Sequence, residues 1–189
     1  MGFYNSYIYP HVLNYIMSRA DGDPAYERLV IPVFKEAEGD VLEIGMGAGR
    51  TLPMYDPSKV KRLVGIEPNA KLASVAVETG EALPFPVEVS QSGAEEMDDF
   101  EDATFDTILS SAVMCSVPDL EGALAECRRV LKPSGKLVFA EHGRSPDRFQ
   151  YLLQRLEEPI HRTFVGGCHM TTRDSEGDHE RGIPGLARP

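Results

Sequence analysis

Five short apolar runs punctuate the chain, at Asp40–Gly45, Arg62–Glu67, Val87–Gln91, Phe105–Ser110 and Lys136–Glu141. Each is too short and too rich in β-branched residues for a helix, so each predicts a strand buried on both faces. Between them the spacing becomes helical. In Asp119–Leu131 the residues Leu120, Ala123, Leu124, Cys127, Val130 and Leu131 fall on one stripe, Asp119 caps the start, and Pro133-Ser134-Gly135 turns the chain into the fifth run. Pro68–Glu78 predicts a second helix, with Pro68 at its first position and Leu72, Val75 and Ala76 facing inward. Such alternation of strand and helix predicts a parallel sheet covered on both sides.

The flanks are less regular. Residues 11–20 and 25–38 read as helices, the second bent at Pro32, in an arm carrying Tyr4, Tyr7, Tyr9, Tyr15 and Tyr26. Phe149, Leu152, Leu153 and Leu156 form another helical stripe over Asp147–Glu158, ending near Pro159. After Met170 the apolar pattern stops, which predicts an irregular tail over 171–189.

Composition narrows the partners. Thirty acidic against nineteen basic side chains leave a formal charge of −11 over 189 residues, a field that repels phosphate backbones and argues against nucleic acid. Cys115, Cys127 and Cys168 are odd in number and contain no CxxC pair, so no disulfide is expected and a reducing, cytoplasmic setting is. The first residues lack the basic and continuous apolar regions of a signal peptide, and no run is long enough to span a bilayer.

Candidate chemistry concentrates at Val41–Arg50, VLEIGMGAGR, where a strand ends in Gly45, Gly47 and Gly49. Ligands of doubly wound sheets settle beyond the carboxyl ends of the strands, and glycines there let backbone approach a ligand closely. A dinucleotide fingerprint would place its third glycine where Arg50 stands and would open a helix at once; here prolines follow instead, and Glu43 precedes the turn. These features suit a cation better than a diphosphate, which disfavours an NAD-linked oxidoreductase. S-adenosylmethionine carries an ammonium and a sulfonium, and the carboxylate of Glu67, twenty residues after Gly47, can accept from its two ribose hydroxyls; that spacing alone would also suit NAD, and it is the combination with Glu43 and the GxGxG pattern that separates the two.

Glu43-Ile44-Gly45-Met46-Gly47-Ala48-Gly49 resembles motif I of the class I, Rossmann-like S-adenosylmethionine-dependent methyltransferases. Gly65-Ile66-Glu67-Pro68-Asn69 resembles their acidic ribose site, Phe105–Ser110 their fourth strand, and Arg128–Leu137 their RVLKPGG segment. The segments Val113–Val117, Glu141-His142-Gly143 and Gly166–His169 are similar to those of methyltransferase-like thiol S-methyltransferases and bacterial relatives. The resemblance implies a three-layer α/β/α sandwich with a mainly parallel sheet in the order 3-2-1-4-5. It also implies a cofactor-binding domain over 39–170 capped by an arm over 1–38, and S-adenosylmethionine as cofactor.

For the site, the resemblance implies that Glu43, Gly45, Gly47, Gly49, Glu67, Pro68, Ser110 and Cys115 line the cofactor. Cys115 is read as a small wall residue and not a nucleophile. The usual adenine-binding aspartate is replaced by Gly93, so that duty falls to the Ala94 amide with Glu95, or to Ser92. His142 is the expected base beside the methyl, set against the plain reading of a surface histidine at a strand end. Cys168 and His169 with His161 and His179 have poor ligand geometry, so no metal is expected.

The expected acceptor is a small apolar molecule, a thiol favoured over a quinone-like ring. The family's final hairpin has no counterpart after Met170, so strands six and seven are expected to be missing and the fifth strand to be a bare edge. That edge suggests a homodimer, or a protein that binds cofactor without catalysis.

Overall fold

The computed structural model describes residues 24–141, 144–145 and 147–164. Strands β1 (Gly39–Ile44), β2 (Val60–Ile66), β3 (Val87–Ser90), β4 (Phe105–Ser111) and β5 (Leu131–Ala140) form one sheet in the order β3-β2-β1-β4-β5. Every neighbouring pair is parallel. The chain steps outward from β1 to β3, then crosses to β4 on the other side of β1. Its direction therefore reverses beside β1, at the place where such sheets hold ligands.

Side-chain alternation along the strands builds two cores. Val41, Leu63 and Leu109 pack on one face against Val30, Val33 and Phe34 of helix α1 (Pro24–Lys35) and Ala76 of α2 (Ala70–Gly80). Leu42, Ile44, Val64, Ile66 and Ile108 pack on the other against Ala123, Leu124, Cys127 and Val130 of α3 (Leu120–Val130). Each large side chain so buried contributes about 1.5–3 kcal/mol, which explains why the strands read as unbroken apolar runs. Residues 24–38, expected as part of the arm, belong to the first of these cores, with Phe34 and Ala37 fully buried. The rest of the arm, 1–23, lies outside the described residues.

All five strand centres lie where the apolar runs place them, and the differences are at the ends. β5 starts at Leu131, not Lys136: Leu131 pairs with Phe105, the register then shifts, and Lys136 pairs with Thr107. The expected Pro133-Ser134-Gly135 turn survives as the bulge between those two pairs. Helix α2 begins at Ala70, because Asn69 accepts hydrogen bonds from the amides of Lys71 and Leu72 and so caps it, leaving Pro68 outside. Its buried stripe is Leu72, Ala73, Ala76 and Gly80, and Val75 falls on the far side at 41% exposure. Asp119 caps α3 as expected, accepting from Gly122 N at 3.0 Å.

Helix α4 (Arg148–Phe164) runs through Pro159 instead of stopping there. A proline leaves the carbonyl four residues earlier without its helical partner, and Arg155 is exposed, so water can serve that carbonyl. Phe149, Leu152, Leu153 and Leu156 of this helix are exposed.

The amino end of the sheet is tied by charge. Arg62 Nε and Lys132 Nζ donate to the two carboxylate oxygens of Asp40, at 3.0 and 3.4 Å. Asp106 accepts from Asp40 N at 2.9 Å and Lys132 Nζ at 2.9 Å, and these bonds lower its pKa. Among the described residues no helix is long and apolar enough to cross a membrane.

Candidate cofactor and methyl-transfer site

β1 runs into a tight turn at its carboxyl end. The amides of Gly45 and Met46 both donate to Ile66 O of β2, at 2.8 and 3.0 Å, and Gly49 N donates to Met46 O at 3.1 Å. Gly45, Gly47 and Gly49 have φ of +69°, +59° and +75°, the left-handed region where a side chain is strained. Two of them are glycine for different reasons. The Val113 side chain fills the space a Cβ on Gly45 would need, whereas a Cβ on Gly47 would meet nothing within 4 Å. Gly45 makes room for the protein itself, and Gly47 faces open volume. After the turn comes only the 3-10 segment Leu52–Met54, so no long helix presents its N-terminus to a diphosphate.

Two carboxyl groups flank this turn. Glu67, the residue after β2, accepts from Gly47 N through Oε2 at 3.0 Å and from Asn69 N through Oε1 at 2.8 Å. It is nearly buried, and burial raises its pKa even though both amides pull it down. A carboxylate offers about four acceptor positions, so two protein amides leave capacity for a vicinal diol. Glu43, within β1, accepts from Thr51 Oγ1 at 2.7 Å and Tyr55 Oη at 2.9 Å. Burial pushes Glu43 up to about 7, against the pull of these two hydroxyls. The Tyr55 hydroxyl is itself raised by burial and by Glu43, and its ring meets Phe34 edge-on at 5.1 Å.

Beyond β3, the segment expected to face adenine is fastened from α3. Arg129 donates to Met97 O at 3.0 Å and Phe100 O at 2.8 Å, while Glu126 accepts from Met97 N at 3.1 Å. Ala94 is buried and Glu95 partly exposed on this segment. Beyond β4, Ser110 Oγ donates to Glu141 Oε1 at 2.5 Å, and Val113 N donates to both oxygens of Glu141, at 3.1 and 3.0 Å. Buried Cys115 follows in the 3-10 segment Met114–Ser116. Among the described residues no group of three or more His, Cys, Asp or Glu is arranged to hold a metal.

Known proteins match this arrangement in sequence as well as in shape. Residues 42–139 match the model of the methyltransferase domain family. The thiol S-methyltransferase TMT1B of Rattus norvegicus is 34% identical over 146 residues, 76% of this chain and 59% of that protein. The chain belongs to the S-adenosylmethionine-dependent methyltransferase family. A phosphatidylethanolamine N-methyltransferase of Cereibacter sphaeroides is 36% identical over 106 residues, 55% of this chain and 51% of its own length. The crystal structure of the YcgJ protein of Bacillus subtilis, 25% identical, superposes with a TM-score of 0.60 over 91% of this chain and 67% of that one. This methyltransferase chain thus spans only a little over half the length of the two curated relatives.

Within the methyltransferase fold, Gly45, Gly47, Gly49 and Glu67 gather at one turn. Ser110 and Cys115 lie along the exit from β4, and Ala94 and Glu95 past β3. Pro68 is exposed directly after Glu67. The oxygens of Glu43 face Thr51 and Tyr55 inside the protein, a placement that fastens the glycine turn to the segment after it. His142, Cys168, His169 and His179, and the side chain of His161, lie outside the described residues. Sequence reasoning gave no part to Thr51 or Tyr55, and singled out Val113 and Glu141 only as members of segments similar to those of thiol S-methyltransferases, with no role of their own. Only Glu141 carried a usable signal, being an acid directly after a strand, as Glu67 is.

Proposed function

We propose that this chain binds S-adenosylmethionine across the Gly45–Gly49 turn and directs its methyl to a small apolar acceptor, a thiol favoured. The observation that carries the reading is Glu67. Its carboxylate lies 3.0 Å from Gly47 N, beside the open volume at Gly47, with capacity left for two sugar hydroxyls. The fit to the cofactor rests on the same features: an open glycine face, a clasp for a diol at Glu67, and a glycine turn followed by no long helix whose N-terminus would suit a diphosphate.

When bound, S-adenosylmethionine supplies a methyl on a positively charged sulfur, open to in-line displacement. The chain's own part is alignment and exclusion of water, and holding two reactants as a near-attack pair is worth up to about 7–11 kcal/mol. In this reading Glu67 fixes the sugar, Ala94 and Glu95 bound the adenine, Ser110 and Cys115 line the methyl side, and Glu43 keeps the turn in place. His142 takes the proton of an acceptor thiol as its sulfur attacks. The relatives named above methylate a thiol in one case and a phospholipid amine in the other, so membership alone leaves the acceptor open.

Isothermal titration tests the donor. S-adenosylhomocysteine should bind and NAD should not, and Glu67→Ala should weaken binding about tenfold to a hundredfold, since a hydrogen bond to a charged group contributes about 1.5–3 kcal/mol. Heat with NAD alone would overturn the proposal. Methylation assays across small thiols, quinols and amines then identify the acceptor. Binding without turnover on any of them is the result expected of a cofactor-binding protein that does no catalysis.

A further inference from the structure

Glu141 is the first residue past the β4–β5 ladder, whose last pair is Ser111 with Ala140. It reaches back across β4. Its carboxylate takes the Ser110 hydroxyl at 2.5 Å and the Val113 amide at 3.1 and 3.0 Å. Between those two partners lies Ala112, with φ of +54°, a left-handed conformation that is rare outside glycine, asparagine and aspartate. Strained backbone of this kind persists only where its surroundings over-determine it. Here the surroundings are Ala112 N donating to Ala140 O at 2.8 Å, and the Glu141 carboxylate on either side.

The strained residue aims Val113 at the cofactor turn. The Val113 side chain occupies the space a Cβ on Gly45 would fill, and Val113 O accepts from Ser116 N at 2.8 Å, closing the 3-10 segment that carries Cys115. A line of direct contacts thus runs from Glu141 through Val113 to Gly45. Two acids bracket the glycine turn in the same manner: Glu67 grips Gly47 from the β2 side, and Glu141 sets Val113 against Gly45 from the β4 side.

We propose that Glu141 is a positioning residue for methyl transfer, holding the Ala112–Ser116 segment against Gly45 so that the donor turn and the wall facing the methyl keep one spacing. With both oxygens engaged by Ser110 and Val113, it acts through that segment and does not serve as a base. The inference rests on the donor reading proposed above.

The test compares wild type with Glu141→Ala, Glu141→Gln and Ser110→Ala, by titration with S-adenosylhomocysteine and by amide exchange in the ligand-free protein. Arg62→Ala, which breaks the ion pair with Asp40 at the opposite end of the sheet, serves as a control for loss of stability away from the turn. Glu141→Ala should lose about tenfold in affinity, and its Val113 amide should exchange about tenfold faster while those of Leu42 and Leu63 stay protected. Glu141→Gln, which keeps a carbonyl acceptor, should recover to within about threefold of wild type. The Arg62 control should bind normally. Should Glu141→Ala fail to fold, the comparison rests on Ser110→Ala, which should show a smaller loss of affinity and a Val113 amide that exchanges faster than in wild type. Wild-type affinity and Val113 protection in Glu141→Ala, or in Ser110→Ala where Glu141→Ala does not fold, would overturn the inference and leave the donor reading standing. No binding by wild type would overturn the donor reading, and this inference with it.

Discussion

Glu43 has almost no contact with water, and its two hydroxyl partners are neutral. In the unfolded chain it ionises near its ordinary value of 4.5, and in the folded protein only near about 7. Between those values the unfolded chain has released a proton that the folded one retains, so rising pH favours unfolding; above about 7 the effect is complete. Glu43→Gln should therefore remove up to about 3 kcal/mol of stability loss between acid and neutral pH. Urea titrations at about pH 5 and about pH 8 measure this directly. Glu67, raised by the same cause, leaves a residual slope of the same sign. Gly45→Ala puts a side chain at a left-handed φ and into Val113, and should cost about 2–4 kcal/mol together with cofactor binding. The spacing of glycines and acids made Gly47 and Glu67 legible in the sequence. Tyr55 and Val113 were not, because an ordinary hydroxyl and an ordinary valine become important only through what folding places beside them.

Among the elements, the clearest instruction is the one Arg129 delivers from the last turn of α3. Its guanidinium reaches two carbonyls of the 97–102 segment along with Asp102 and Glu126, and these two acids raise its pKa. Arg129→Ala should destabilise the fold by about 1–3 kcal/mol, readable in thermal melts, and should weaken S-adenosylhomocysteine binding through the Ala94 side. Lysine should restore little, having no planar fork to span two carbonyls. Strand and helix centres were legible because both faces of the sheet are buried and α3 has one continuous stripe. Ends were not, since an end is set by a partner: Leu131 joins β5 because Phe105 stands opposite, and α2 starts where Asn69 can cap it. At Pro159 the propensity rule failed on a stretch of α4 where Arg155, the residue whose carbonyl loses its helical partner, is exposed.

As a whole molecule, the described residues place β5 at the edge of the sheet, and α4 leaves Phe149 and Leu156 open to solvent. A homodimer joined through that edge would bring together copies each carrying a formal charge of −11. Its association should strengthen as salt rises from about 0.05 to 0.5 M, where the screening length falls below about 5 Å. Sedimentation at several concentrations reads this, and a monomer at every salt level would exclude the dimer.

The ion pairs joining Asp40, Arg62, Asp106 and Lys132 have a practical side. They sit where the strands begin, while Gly45, Gly47, Gly49, Glu67, Ser110 and Cys115 sit at or just past the ends where the strands finish. An engineer seeking a hardier protein can therefore rework that pole of the molecule, and whatever resilience is gained there should leave cofactor binding at the other unchanged.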